Sequence, residues 1–249
     1  MNNFKKKIFI YIKYIIKRLL FLYDWKIEKI YVQKEALGPP PSESELNMLR
    51  NCNGVMHFGA HRGQEAEIYE WFRKKVIWIE ANPKIFFDLN IKIKQFPNQI
   101  AYNHLITNKT GNFYNFKISN NDAASSSIFD FGELSVGSKS IWPNKKKLRF
   151  NEKLKLESIA IDDFISKYKI DLNIFDCWVL DLQGAELLAL NGANHSLKFC
   201  KYLVVEVSDG EVYKNGPNYT DIINYLKKFN FENINNIEGN HQNMLFQKK

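Results

Sequence analysis

From Val55 onward the chain alternates short, nearly unbroken apolar runs with amphipathic stretches, and this alternation restricts its fold more than any other feature. The apolar runs lie at 55–58, 76–80, 99–103, 178–182 and 202–207. A strand that is apolar at almost every position needs cover on both faces, and helical stretches between strands are the crossovers that parallel pairing requires. The pattern therefore predicts an α/β domain with a mostly parallel sheet. Helices are expected at 64–72, 83–94 and 185–190, at 163–168 with Asp162 as cap, and from Thr220 and Asp221 to Phe229. Asn82-Pro83 is the clearest start signal, because Asn caps a free amide and Pro at the first position loses no hydrogen bond. Between the third and fourth strands, 111–118 and 153–159 alternate like strands around a polar loop at 119–127, which predicts an antiparallel insertion. Residues 231–247 read as a closing antiparallel hairpin around Glu238-Gly239-Asn240.

Ahead of this domain, residues 4–23 set Lys6, Lys13 and Lys17 on one stripe of a helix whose remaining surface carries Ile8, Tyr11, Ile12, Ile15, Leu19 and Leu22. The expected organisation is a basic amphipathic helix within 1–36, a Pro-rich linker at 37–44 and a main domain at 45–249, opened by a short helix from Ser44 or Glu45 through Arg50. The apolar runs of the first segment fall well short of the ~20 residues of a bilayer span. No small-residue cleavage site follows them, so no removed secretory signal is expected. Peripheral contact with the cytoplasmic membrane face and packing on protein both suit such a helix. Cys52, Cys177 and Cys200 are odd in number and lack paired spacing, so neither a disulfide framework nor a zinc knuckle is expected, and a cytoplasmic location is. The net charge of +8 lies largely in the first turns and in Lys145–147, with no nucleic-acid motif beside it, so no nucleic-acid partner is expected.

Two strand ends carry the chemistry. Val55-Met56-His57-Phe58-Gly59-Ala60-His61-Arg62-Gly63 runs from a strand through a glycine-punctuated turn into a helix, a place where backbone can approach a ligand and a helix N-terminus favours polar or negative groups. The next strand ends in Ile79-Glu80-Ala81-Asn82, which sets a carboxylate where doubly wound sheets bind the ribose hydroxyls of an adenosine. The dinucleotide fingerprint G-x-G-x-x-G needs a middle glycine for the pyrophosphate, and Gly-Ala-His-Arg-Gly lacks it. The plain alternative is a structural strand-to-helix turn. At the fourth strand, Asp181-Leu182-Gln183-Gly184-Ala185-Glu186 puts Asp181 and Gln183 at the sheet's carboxyl edge, with a loop-bracing aspartate as the alternative.

This last run, followed by Leu190-Asn191-Gly192-Ala193, resembles the signature of FkbM-type methyltransferases. Other pieces stand in the same order: the turn at 59–63, Glu80-Ala81-Asn82-Pro83, Gly111-Asn112-Phe113-Tyr114, Ser125-Ser126-Ser127 and Ile159-Ala160-Ile161-Asp162-Asp163-Phe164. The similarity spans roughly 55–246. It implies a Rossmann-like class I methyltransferase fold, S-adenosylmethionine as cofactor and O-methylation of a sugar, glycan or small-molecule hydroxyl. Carried over, Gly59, Ala60, Gly63 and Glu80 become cofactor residues, and Asp181 and Gln183 stand at the mouth of methyl transfer. The expected cofactor wall also includes His57, Phe58, Ala81 and Asn103. His57 stands where relatives often hold Asp and His61 where they usually hold Asn, a departure that leaves the bonds to the methionine tail open.

Positioning of donor and acceptor is the main catalytic device expected, with a general base adding about 10²–10⁴-fold for an alcohol. The candidate bases are His61, His104 and Asp181; the competing reading of each histidine is a hydrogen-bonded structural ring. Asp181, Glu186 and Glu206 match no metal-ligand spacing, so no metal is expected. Ser125–Ser127 either contacts substrate or forms a solvated loop. Trp142 either stacks on a sugar or pins the insertion. Competing functions are a nucleotide- or NAD-dependent enzyme on a related fold and a non-catalytic scaffold module.

Overall fold

The structure, a computed structural model, describes residues 42–136, 140, 148–235 and 241–249. The expected helix at 4–23, residues 37–41 of the linker, Trp142 and the hairpin turn at 238–240 lie outside them. In chain order the elements are α1 (Glu43–Asn51), β1 (Gly54–Phe58), α2 (Ala66–Trp71), β2 (Lys75–Glu80), α3 (Pro83–Ile93), β3 (Gln99–Asn103), β4 (Leu105–Thr107), β5 (Phe113–Ser119) and β6 (Phe150–Ala160). There follow α4 (Ile161–Tyr168), β7 (Cys177–Leu180), α5 (Glu186–Leu190), a 3₁₀ turn (Ser196–Phe199), β8 (Tyr202–Ser208), α6 (Tyr219–Lys227), β9 (Phe231–Asn233) and β10 (His241–Lys248).

The main sheet has the order β3-β2-β1-β7-β8-β10-β9. The first five strands are parallel, and β10 inserts antiparallel between β8 and β9. The chain thus builds outward from β1 to β3, then returns to the other side of β1 for β7. Period-two alternation sorts the strand residues onto two cores. Met56, Phe58, Ile77, Ile79, Trp178, Leu180, Leu203 and Val205 pack with Phe164, Ala189, Leu190, Ile222 and Leu226 of α4, α5 and α6. Val55, Val76, Trp78, Cys177, Val179 and Val204 face the opposite way, against Met48, Leu49, Ala66, Tyr69, Leu89 and Ile93 of α1, α2 and α3. At about 25 cal/mol per Å² of apolar surface withdrawn from water, these two layers carry most of the driving force for folding.

The insertion between β3 and β7 is a second, three-stranded sheet of order β4-β6-β5. The expected antiparallel pair is β5 with β6, while the short β4 adds in parallel to β6. No helix among the described residues is long and apolar enough to cross a membrane.

Helix α3 starts where expected, α1 starts at Glu43 rather than at Ser44 or Glu45, and α4 lacks its expected cap. Asn82 accepts from the Lys84 amide and Pro83 opens α3; Ser42 and Glu45 form a reciprocal capping box on α1. Helix α6 starts one residue before Thr220, with Asn218 as its cap and Asp221 closing the box, and it ends at Lys227 rather than Phe229. Asp162, expected to cap the helix after it, sits inside the first turn of α4, whose cap position Ala160 makes no side-chain bond. Its carboxylate instead accepts from the amides of His195 (3.0 Å) and Ser196 (2.8 Å), bracing the start of the 3₁₀ turn more than thirty residues along the chain. The fold supplies those donors, so local spacing carries no trace of them. Asp162→Ala is expected to lower stability by about 1 kcal/mol, as lost caps do, read as a lower urea midpoint at unchanged slope; an unchanged midpoint would show the carboxylate is idle.

Candidate active site

The two loops that matter leave β1 and β7, neighbours at the point where strand order reverses, which is where open α/β sheets form a crevice. They touch through backbone. The Asp181 amide donates to the Phe58 carbonyl (3.0 Å), and the amides of Gly59 and Ala60 donate to the Ile79 carbonyl (2.9 and 3.1 Å). Gly59 has φ +84°, and a Cβ on it would lie 1.8 Å from the Asp181 carbonyl oxygen. The glycine expected to admit a ligand therefore admits the neighbouring loop. A side chain at Gly63 (φ +63°) would likewise meet Leu89 of α3 at 2.7 Å.

Glu80 ends β2 almost fully buried. One carboxylate oxygen accepts from the Asn82 amide (2.7 Å), the other from the His61 amide (2.8 Å). Burial raises its pKa to about 7 against the pull of those amides. A carboxylate at this strand end is the acceptor that a ribose diol needs. Asn103 buttresses the same corner, its amide donating to the carbonyls of Glu80 (2.7 Å) and Ala81 (3.1 Å).

His61 adopts a left-handed backbone, φ +45°. Its Nδ1 meets the Gln64 amide nitrogen at 2.8 Å and its Nε2 the Asp122 carbonyl at 2.9 Å. With Gln64 donating and Asp122 accepting, the ring is the Nε2–H tautomer with its lone pair occupied. Arg62 adds ion pairs to Asp88 of α3 (3.0 Å) and to Asp122. The turn after β1 is thus tied to the insertion loop.

At β7, Asp181, Gln183 and Glu186 form one closed unit. Gln183 (φ +53°) donates its amide to Asp181 and to Glu206 on β8 (3.0 Å), and its Oε1 accepts from Tyr213 (2.5 Å). Gly184 (φ +96°) is required because a Cβ would lie 2.8 Å from the Tyr213 Cβ. Glu186, 3% exposed, folds back to accept from the amides of Leu182 (2.8 Å) and Gly184 (3.2 Å). Burial, then the Glu206 carboxylate, push Glu186 up to about 8. The same two causes in the same order raise Asp181 well above the carboxylate range. Beyond this unit, Glu186, Glu206, Ser208 and Tyr213 line an open crevice.

The structure brings Gly59, Ala60, Gly63, Glu80, Ala81 and Asn103 together around one turn, and Asp181 with Gln183 beside it across the β1–β7 junction. It does not bring the histidines together. His57 lies in the core, stacked on Trp78 with Nδ1 3.1 Å from the Tyr69 hydroxyl, and burial lowers its pKa. Phe58 is fully buried against Trp178, so only its backbone meets the crevice edge. His104 packs with Phe164 and Tyr168, Nε2 2.7 Å from the Tyr168 hydroxyl; burial, then Lys167, lower its pKa. Of the candidate bases, His61 has its ring nitrogens bonded to Gln64 and Asp122, and His104 has its Nε2 bonded to the Tyr168 hydroxyl. The serine loop is not solvated. Ser125, Ser126 and Ser127 are buried, and Ser127 Oγ donates to the Gln183 carbonyl (2.7 Å). Tyr213 and His241 were not legible as site residues, since each lies in a loop or strand start with no motif around it.

A mostly parallel sheet whose order reads 3-2-1-4-5-7-6 when its own strands are counted, its seventh strand antiparallel, with an acidic β2 end facing the glycine turn, is the class I, Rossmann-like methyltransferase fold. The methyltransferase FkbM domain model matches residues 57–232, and the chain belongs to that S-adenosylmethionine-dependent family. A search of curated proteins returns no significant match. Solved structures of similar fold include magnesium protoporphyrin IX methyltransferase from Synechocystis PCC 6803 with bound SAM, at 8% identity, 92% of this chain, 96% of that chain and a TM-score of 0.44. A TehB-like SAM-dependent methyltransferase from Corynebacterium glutamicum aligns at 12% identity over 95% and 97% of the two chains, TM-score 0.39. Aeropyrum pernix fibrillarin aligns at 12% over 80% and 67%, TM-score 0.41.

A carboxyl whose pKa is higher folded than unfolded makes the folded state bind more protons, so stability falls as pH rises between the two values. For Glu186 that window runs from 4.5 to about 8. Glu186→Gln keeps an oxygen for the Leu182 and Gly184 amides without the buried charge. The variant is expected to be more stable than wild type at pH 8.5 by a few kcal/mol, with the difference vanishing near pH 4.5. Calorimetric melting at the two pH values checks this, and a gap that widens toward acid would refute it.

Proposed function

We propose that the protein methylates a hydroxyl oxygen of a sugar, glycan or small molecule. S-adenosylmethionine, when bound, supplies a methyl group on a sulfonium, which leaves as a neutral thioether. The residues present suit that donor. Glu80 sets a carboxylate at the first glycine turn, held by the amides of His61 and Asn82, where a ribose diol would bind. The His61 amide, where a pyrophosphate would need an open donor, is spent on that carboxylate. This opposes the dinucleotide reading, because that amide is then closed to a pyrophosphate and the turn also lacks the middle glycine that a pyrophosphate needs.

The observation that carries the acceptor class is the wall beyond Asp181. Glu186, Glu206, Ser208 and Tyr213 line the crevice, a polar wall of carboxylate and hydroxyl groups that suits an alcohol better than an apolar acceptor. Asp181 and Gln183, locked to each other and to Tyr213, hold the mouth between the donor pocket and this wall in a fixed geometry, so positioning supplies much of the rate.

Parallel calorimetric titrations with S-adenosylmethionine and NAD test the donor. Wild type is expected to bind the former only, and Glu80→Ala to weaken it about 10- to 100-fold through lost charged hydrogen bonds; preferential NAD binding would overturn the assignment. Labelled methyl transfer to panels of monosaccharides, small alcohols, amines and thiols tests the acceptor. Ether products are expected, and transfer confined to amines or thiols would end the O-methylation reading.

A further inference from the structure

Alternation along two paired strands places three polar side chains in one line. His241 at the start of β10 pairs with Ser208 at the end of β8, and Glu206 lies two residues before Ser208, so all three project from the same sheet face. They bond in sequence. His241 Nδ1 is 2.9 Å from Ser208 Oγ, His241 Nε2 is 3.1 Å from Glu206 Oε1, and Glu206 Oε2 accepts from Gln183 at 3.0 Å. Ser208 and Glu206 line the crevice. The other histidines are placed differently: His57 in the core, His61 and His104 committed to other partners, and His195 exposed beside Phe199.

We infer that Ser208, His241 and Glu206 form a proton relay that takes the hydroxyl proton of the acceptor; this rests on reading the crevice as the site of O-methyl transfer. A carboxylate at Nε2 requires a proton there, which leaves the Nδ1 lone pair to accept from Ser208. The Ser208 oxygen in turn keeps lone pairs for a hydroxyl in the crevice. As the acceptor oxygen bonds the methyl carbon, the carbon–sulfur bond breaks and its electron pair returns to sulfur. The acceptor proton passes to Ser208 Oγ while the Ser208 proton passes to His241 Nδ1. The resulting imidazolium is balanced by Glu206 and releases its proton to solvent afterwards. Ser208 is the catalytic residue, because it touches the acceptor; His241 and Glu206 act through it. Gln183 separates Glu206 from Asp181 and so directs the Glu206 oxygen toward the ring.

Two measurements test the relay. Long-range proton–nitrogen NMR of the histidine rings, with His241→Asn for assignment, is expected to show neutral His241 as the Nε2–H tautomer. Ser208→Ala should move its Nδ1 resonance to that of an unbonded nitrogen, and Glu206→Ala should erode the tautomer preference. An Nδ1–H ring, or a ring indifferent to both substitutions, overturns the relay. In the labelled-methyl assay on monosaccharides, Ser208→Ala is expected to lower turnover about 10²-fold or more at unchanged S-adenosylmethionine affinity, with Ser208→Thr retaining it. Ser208→Ala turning over as wild type also overturns the relay. A wild type with no affinity for S-adenosylmethionine sinks the methyl-transfer reading instead, and the ring-nitrogen spectra still decide whether the relay geometry exists.

Discussion

The site depends on two backbone loops that meet where β1 and β7 lie side by side. Strands running the same way present their carboxyl ends to one edge, and the reversal of strand order sends the loops after β1 and β7 in opposite directions. Here the loops are pressed together until the Asp181 carbonyl fills the space where a side chain at position 59 would start. The Asp181 amide and the Phe58 carbonyl close the contact. The two loops are therefore fixed relative to one another by main chain, which is far stiffer than a pair of side chains. The glycine serves the protein's own packing first and the ligand only as a consequence.

Carboxylates in such a crevice are costly unless something meets them. Three solutions appear within a few residues. Glu80 and Glu186 are each held by two backbone amides. Asp181 and Glu206 share the amide of Gln183, whose carbonyl oxygen is in turn fixed by Tyr213. Glu206 has in addition the His241 ring. Desolvation still dominates, which is why Asp181, Glu80 and Glu186 are all held above the carboxylate range. The motif Asp-x-x-Gly-x-Glu is thus a self-closing loop: the glycine clears Tyr213, the final glutamate ties down the loop amides, and the aspartate is held by Gln183.

How much of the site could be read beforehand follows from the range of the interactions. Glu80 and Asp181 were legible because each directly follows an apolar run, so a strand-end position comes from period and length alone. His61 lies in the turn expected, yet its Nε2 is held by the Asp122 carbonyl, sixty-one residues on, a partner that no local pattern shows. Asp162 illustrates the same gap, since its donors at 195 and 196 are set by how the 3₁₀ turn returns to α4. His241 lay in a segment identified only as a hairpin, and its value comes from register against β8.

Apolar period, capping chemistry and the order of short motifs are local properties of a chain, and they were enough to establish the parallel core, the strand ends, the insertion and the family. Which side chains share a hydrogen bond is not local. The pairing of β10 with β8, the meeting of the insertion loop with the first turn and the approach of Tyr213 to Gly184 each bring together residues far apart along the backbone, and each was selected by burial of the two apolar layers. Packing energy accumulates over many residues and leaves a periodic imprint in sequence, whereas a single directional bond between distant residues depends on the final coordinates and leaves none.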